Sequence, residues 1–258
     1  MTTPLGSFVW YELMSGDPAA AAKFYGDVVG WKTSDAGMVD FPYTLVSAGD
    51  DMVGGIMAMP EPVRATGAQP AWIGYIHVPD VDAYAAKVTA AGGAIHRAPA
   101  DIPRVGRFAV VADPHGAPFI LFKGQPPEDP RPPLALDAVG NVGWRELRAG
   151  NLDSDLAFYS GLFGWRKTQA MDMGPMGTYQ LFEVEGGQSG GMMTKPAETP
   201  APYWLFYFNV EAIDAAAERI RAGGGQVDVG PHEVPGGGWV VRGRDPQGCI
   251  FALLASKR

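Results

Sequence analysis

Residues 8–13, FVWYEL, alternate in a way that separates Val9, Tyr11 and Leu13 from Phe8, Trp10 and Glu12, the two faces of a strand. The period then changes. Phe24, Tyr25, Val28 and Val29 recur at helical spacing, with Asp17 placed to cap the N-terminus and Pro18 at the first helical position. Gly30 stands where a left-handed residue closes a helix, and Trp31 can pack back on it. Two short apolar strands are expected around 43–47 and 52–57. A second round opens with AWIGYIHV (71–78), a strand, and a helix with Val81, Tyr84, Ala85 and Val88 on one face, closed by Gly92-Gly93. It ends in two strands joined across DPHG (113–116), where Asp first, Pro second and Gly fourth fit a type I turn.

The whole pattern is then written again. VGWRELRAGNLDSDLAFYSGLFGW repeats FVWYELMSGDPAAAAKFYGDVVGW, so that Asn151 answers Asp17 and Tyr159 answers Tyr25, both at an offset of 134. Gly190-Gly191 answers Gly54-Gly55 at 136, and Trp204 answers Trp72 at 132. DPQG (245–248) answers DPHG at 132, YWLFYFNV (203–210) answers the strand at 71–78, and Ile213, Ala216, Ala217 and Ile220 restate its helix. In the repeat, strands are expected over 179–184 and 190–193. The Pro-rich stretch GQPPEDPRPPL (124–134) reads as a semi-rigid linker. The boundaries that follow are an N-terminal domain over 1–123, a linker over 124–138 and a C-terminal domain over 139–258, each domain containing two strand–helix–strands units.

Composition narrows the function. The 258 residues carry a net charge of −8, which disfavours a nucleic-acid or anionic-membrane partner, since both need a basic face. The single cysteine, Cys249, can form neither an intrachain disulfide nor a thiolate zinc site. No apolar run approaches the ~18 residues of a membrane span, and no export signal is visible at the N-terminus, so a cytoplasmic protein is expected. No glycine run follows a phosphate-loop pattern, so no nucleotide cofactor is expected.

The order of motifs, with Asp- or Asn-capped FY…GW helices and DPxG hairpins present twice, resembles the vicinal oxygen chelate superfamily: glyoxalase I, extradiol dioxygenases and bleomycin-resistance proteins. The resemblance covers nearly the whole chain outside the linker and is closest to a tandem two-domain branch. It implies an α+β fold of four βαβββ modules, each domain a cup-shaped mixed sheet with helices outside. It also implies where a metal would be held in the family's enzymes. Carried over, the first-strand positions are Trp10 and Trp144, the fifth-strand positions Ile73 and Leu205, and the last-strand positions Ile120 and Ala252. None offers a metal donor where three N, O or S ligands are needed, so no metal and no cofactor is expected.

Several polar and aromatic residues remain as candidates. Glu12 and Glu146 each follow a Trp by two residues and so share its strand face; they are the candidate acid/base residues, with a structural hydrogen-bonding role as the alternative. His77 and its counterpart Asn209 can hydrogen-bond a ligand carbonyl or hydroxyl, or be satisfied within the sheet. Trp10, Tyr75, Trp144 and Tyr207 are in phase with the lost metal positions and are the candidate aromatic wall. The stretches 98–107 and 230–239, rich in Pro and Gly, read as loops that either cover a cup mouth or simply connect. His96 and His115 read as solvent-facing turn residues. Two functions stay open: binding of a small hydrophobic or aromatic, carbonyl-bearing molecule, and metal-free proton transfer as an isomerase, lyase or cyclase through Glu12 or Glu146. The oligomeric state is also open, a homodimer included.

Overall fold

A computed structural model describes residues 3–38, 41–126, 132 and 134–258. Of the linker prolines, Pro127, Pro130 and Pro133 lie outside the described residues. The first half runs β1 (Phe8–Ser15), α1 (Pro18–Val29), β2 (Lys32–Asp35), β3 (Tyr43–Ala48), β4 (Asp51–Ala58) and a single turn α2 (Glu61–Arg64). It continues through β5 (Ala71–His77), α3 (Val81–Ala90), β6 (Ala94–Ile102), β7 (Gly106–Ala112) and β8 (Pro118–Gly124). The second half repeats this as β9 (Val142–Ala149), α4 (Leu152–Phe163), β10 (Arg166–Asp172), β11 (Thr178–Glu183) and β12 (Ser189–Thr194). Then come β13 (Tyr203–Asn209), α5 (Ile213–Ala222), β14 (Gln226–Val234), β15 (Gly238–Arg244) and β16 (Ile250–Ala255). The expected α+β architecture of βαβββ modules is present.

Each half forms one open eight-stranded mixed sheet, ordered β2-β3-β4-β1-β5-β8-β7-β6 and β10-β11-β12-β9-β13-β16-β15-β14. Within each module the first strand runs parallel to the last, as β1 with β4 and β5 with β8, and the other pairs are antiparallel. The helices begin and end where the residues dictate. Asp17 accepts from the Ala20 N–H at 3.0 Å and Gly30 closes α1 at φ 91°; Asn151 accepts from the Ser154 N–H and Gly164 closes α4 at φ 70°.

The chain condenses into two compact units, and each draws on both halves: unit 1 holds residues 1–9, 73–132 and 145–204, and unit 2 holds 10–72, 133–144 and 205–258. The repeated motifs show why. In unit 2 the Tyr25 hydroxyl of α1 donates to Asp245 of the second DPxG turn at 3.3 Å; in unit 1 Tyr159 of α4 donates to Asp113 of the first at 3.2 Å. Each Asp also accepts two backbone N–H bonds within its own turn, from His115 and Ala117 or from Gln247 and Cys249. Around these bonds lie dense aromatic cores. Trp31, Trp72, Phe208 and Phe251 surround Tyr25, while Phe119, Trp165 and Trp204 surround Tyr159. Burying each such ring stabilises by about 1.5–3 kcal/mol, so the helix of one half is held firmly against strands of the other.

Two expectations need correction. The stretches 98–107 and 230–239 are not loops: β6 and β14 extend through them, and only the tight turns before Gly106 and Gly238 lie outside strands. Asp101 pairs with Arg107, and Glu233 with Trp239, in ladder register. Pro and Gly are accommodated there by register irregularities in both hairpins, so they bend a strand without ending it.

Candidate functional site

Glu12 and Glu146 are both buried, at 6% and 4% exposure, and each meets a tyrosine. The Tyr43 hydroxyl donates to Glu12 Oε2 at 2.9 Å, and Tyr179 donates to Glu146 Oε2 at 3.0 Å. Trp10 Nε1–H donates in turn to the Tyr43 oxygen at 2.8 Å, so Trp10 and Glu12 converge on one hydroxyl. Burial first, and the Glu12 charge second, push the Tyr43 phenol well above its ordinary pKa, which keeps it protonated and donating.

The repeated glycine pairs make this contact possible. Gly55 lies in register with Glu12 on the neighbouring strand, and Gly191 with Glu146. The tyrosine ring lies flat across that glycine: a Cβ on Gly55 would fall 2.3 Å from the Tyr43 ring, and one on Gly191 would fall 2.2 Å from Tyr179. The preceding glycines allow close strand approach, since a Cβ on Gly54 would be 2.2 Å from the Tyr11 carbonyl oxygen and one on Gly190 would be 2.3 Å from that of Arg145. Tyr43 and Tyr179 were not among the candidates from sequence. Their shared offset of 136, the same as that of the glycine pairs, is the signal that carried them.

The two carboxylates differ in company. Arg148 Nε lies 2.5 Å from Glu146 Oε1, a close ion pair with little exposure on either side. The matching position in the first copy is Met14.

His77 and Asn209 also diverge. Asn209 is buried, and its Nδ2 donates to the carbonyls of Leu136 at 2.7 Å and Ala138 at 3.1 Å, tying the segment before β9 to the end of β13. His77 is half-buried, and burial first, Lys123 second, hold its imidazole below the usual pKa, so it is neutral at pH 7. Tyr75 packs edge-on against Phe122 at 5.5 Å. Trp144 and Tyr207 are half-buried residues of β9 and β13. An open surface depression of about 770 Å³ lies over α1, β2 and β3; Tyr43 is the one residue it shares with these groups.

A family model described as Glyoxalase/Bleomycin resistance protein/Dioxygenase superfamily matches residues 7–121 and again 141–253. The chain belongs to this superfamily. Putative glyoxylase CFP32 of Mycobacterium tuberculosis (strain CDC 1551 / Oshkosh) is 32% identical over 250 residues, covering 95% of this chain and 93% of that protein. Anthracycline biosynthesis protein DauV of Streptomyces sp. (strain C5) is 29% identical over 271 residues, covering 96% and 93%. Among solved structures, a mutant of 4-Hydroxymandelate synthase from Streptomyces coelicolor superposes with TM-score 0.65 at 16% identity over 98% of this chain and 93% of that one. The Mn(II)-bound glyoxalase from Novosphingobium aromaticivorans does so with TM-score 0.64 at 16% identity, over 99% and 83%. At such identity these two show the shared fold.

The strand positions that the family resemblance assigns to metal ligands lack suitable donors. Ile73, Ile120, Leu205 and Ala252 have no donor atom, and the one polar atom of Trp10 is an N–H already given to Tyr43. Elsewhere among the described residues, Asp113, His115 and Asp155 bring three potential ligand atoms within 4.8 Å. Their oxygens are already used: Asp113 holds its turn and Tyr159, and Asp155 takes the His115 ring at 2.5 Å and the Asn151 N–H at 3.3 Å. In unit 2 Gln247 occupies the His115 place and likewise fastens a helix start, accepting from the Asp17 N–H at 2.8 Å and donating to the Asp17 carbonyl at 3.0 Å. This cluster is a latch between turn and helix. His115 is exposed, as expected, but its ring is not free.

Proposed function

We propose that the protein binds a small, flat, carbonyl-bearing aromatic compound without a metal ion. The observation that carries this reading is the chemistry of the strand positions Trp10, Ile73 and Ile120, with Trp144, Leu205 and Ala252 in the repeat: they offer rings and alkyl groups where a metal site needs donors. Trp10, Tyr75 and His77 in the first copy, and Trp144 and Tyr207 in the repeat, are the contact residues open to this reading. The name of one relative supports it, since an anthracycline is a flat polycyclic carbonyl compound. Menadione, followed by quenching of tryptophan fluorescence, tests the reading. Saturable binding that is unchanged by a chelator is the expected result, and binding that disappears with the chelator and returns with added metal overturns it.

A second reading keeps the proton-transfer chemistry, because the Tyr43 hydroxyl hydrogen-bonded to buried Glu12 is an arrangement that can move a proton. Deuterium exchange into the α-carbon of α-tetralone, catalysed by the protein and abolished by Glu12→Gln, would favour it over binding alone. The Arg148–Glu146 ion pair supports a holding role for the second carboxylate, since one of its oxygens lies against a guanidinium and the other accepts from Tyr179.

A further inference from the structure

The two copies share a frame but differ on one face. In unit 1, ladder register puts His77 of β5 beside Phe122 of β8, Tyr75 beside Ile120, and Phe122 opposite Phe108 of β7. These side chains project from one side of the sheet. Phe122 sits between the Tyr75 ring and Phe108, and the Arg97 guanidinium lies over the Phe108 ring at 4.7 Å. Tyr75 and Phe108 are buried, while Phe122 and His77 keep part of their surface open and Arg97 is exposed. In the second copy, offset 132 replaces Phe122 by Leu254, Phe108 by Val240, Ile120 by Ala252 and Arg97 by Val229, and puts Arg242 where Val110 stood. One face is a wall of rings; the other keeps Tyr207 in the place of Tyr75 but surrounds it with alkyl side chains and one cation.

The polar group diverges independently of the rings. Asn209 Nδ2 donates to the carbonyls of Leu136 and Ala138, and Gly143 beside it has no room even for a methyl group, since a Cβ there would lie 2.1 Å from Asn209 Oδ1. The first copy keeps the same backbone pairing, with Gly6 N–H to the His77 carbonyl and His77 N–H to the Ser7 carbonyl, as Gly140 and Asn141 do with Asn209. Yet the His77 ring makes no hydrogen bond to any described residue. A neutral imidazole, half-open at the edge of a ring wall, has an N–H to offer to a carbonyl oxygen.

Resting on the binding reading above, we propose that only the first copy's face takes the ligand: a flat aromatic ketone or quinone lies over Phe122, and one carbonyl oxygen accepts the His77 ring N–H. The matching face around Asn209 and Leu254 takes none. Two probes separate the parts of this claim, menadione and methylnaphthalene, which has the same ring without the oxygens. The wild-type chain binds one menadione and prefers it over methylnaphthalene. His77→Ala weakens menadione about three- to tenfold, the worth of one neutral hydrogen bond, and leaves methylnaphthalene unchanged. Phe122→Leu, which writes in the second copy's residue, weakens both by a similar factor. Thermal melts on each variant confirm that the fold is retained, and His77→Gln, which restores an N–H donor, recovers part of the menadione preference. Two equal equivalents per chain, or an undiminished menadione preference in His77→Ala, overturn the assignment while leaving the binding reading intact. A wild-type chain that binds neither probe overturns the binding reading and this assignment with it.

Discussion

Gly55→Ala is the sharpest test of the tyrosine–glycine–glutamate frame. The added Cβ would fall 2.3 Å from the Tyr43 ring, and ordinary contact begins at 3.4 Å, so the ring must retreat by about 1.1 Å. That retreat stretches the Tyr43–Glu12 bond from 2.9 Å and the Trp10–Tyr43 bond from 2.8 Å to roughly 4 Å, beyond hydrogen-bonding range. A bond to a charged acceptor contributes about 1.5–3 kcal/mol and a neutral one about 0.5–1.5 kcal/mol, so the expected loss is about 2–4.5 kcal/mol. Tyr43→Ala removes the clash, and in that background Gly55→Ala costs under about 1 kcal/mol. Urea unfolding of the two single variants and the double variant measures the coupling, expected at about 2 kcal/mol. Gly54→Ala is the control: its Cβ would meet the Tyr11 carbonyl oxygen at 2.2 Å, which is backbone, so Tyr43→Ala brings no relief there. Equal costs for Gly55→Ala in both backgrounds would show that the ring does not lie where its hydrogen bonds require.

Three further outcomes are expected. Arg148→Met, which gives the second copy the first copy's residue, leaves Glu146 without its close cation and costs about 3 kcal/mol in urea unfolding; a loss below about 0.5 kcal/mol would mean the ion pair is incidental. Asn209→Ala frees the Leu136 and Ala138 carbonyls and costs about 1–3 kcal/mol, with faster amide exchange in the segment before β9 as its local signature; unchanged exchange would refute the tie. Burial first and Asp155 second raise the folded pKa of Asp113 above the usual carboxylate range. Between the usual value and the raised one the folded chain binds more protons than the unfolded chain, so this group's contribution to stability falls as pH rises through that window. Asp113→Asn should flatten the fall, and an unchanged slope of the urea midpoint against pH would refute the assignment.

Much of the fold was legible because the strongest local signals were written twice. Asp17 and Asn151, Gly30 and Gly164, and the two DPxG turns all do in the structure what their residue types suggest. What was not legible has a common cause. β2, KTSD, is exposed along its whole length, so no apolar alternation announced it, and β10 is nearly as exposed. β6 and β14 hid behind their prolines and glycines, which the sheet absorbs as irregular register at an outer strand. The pairing of Tyr25 with Asp245 and of Tyr159 with Asp113 joins opposite halves of the chain, and no local period can encode a partner some 200 residues away in the first case.

The same limit governed the candidate site, but in a way that separates frame from face. Glu12 and Glu146 were visible because each sits at a fixed distance from a repeated Trp. Their tyrosines were not, because Tyr43 and Tyr179 reach them from another strand across a glycine. Those contacts are steric as much as polar: both glycines, the ring and the carboxylate must be kept together, so neither copy can change one without losing the others. The His77 ring is under no such constraint, since no described residue depends on it for a hydrogen bond. Its counterpart Asn209 shows that the position tolerates a different residue once it is given a structural task. A duplicated fold of this kind can therefore hold its frame fixed in both copies and let one face specialise for a ligand while the other is turned to holding the chain together.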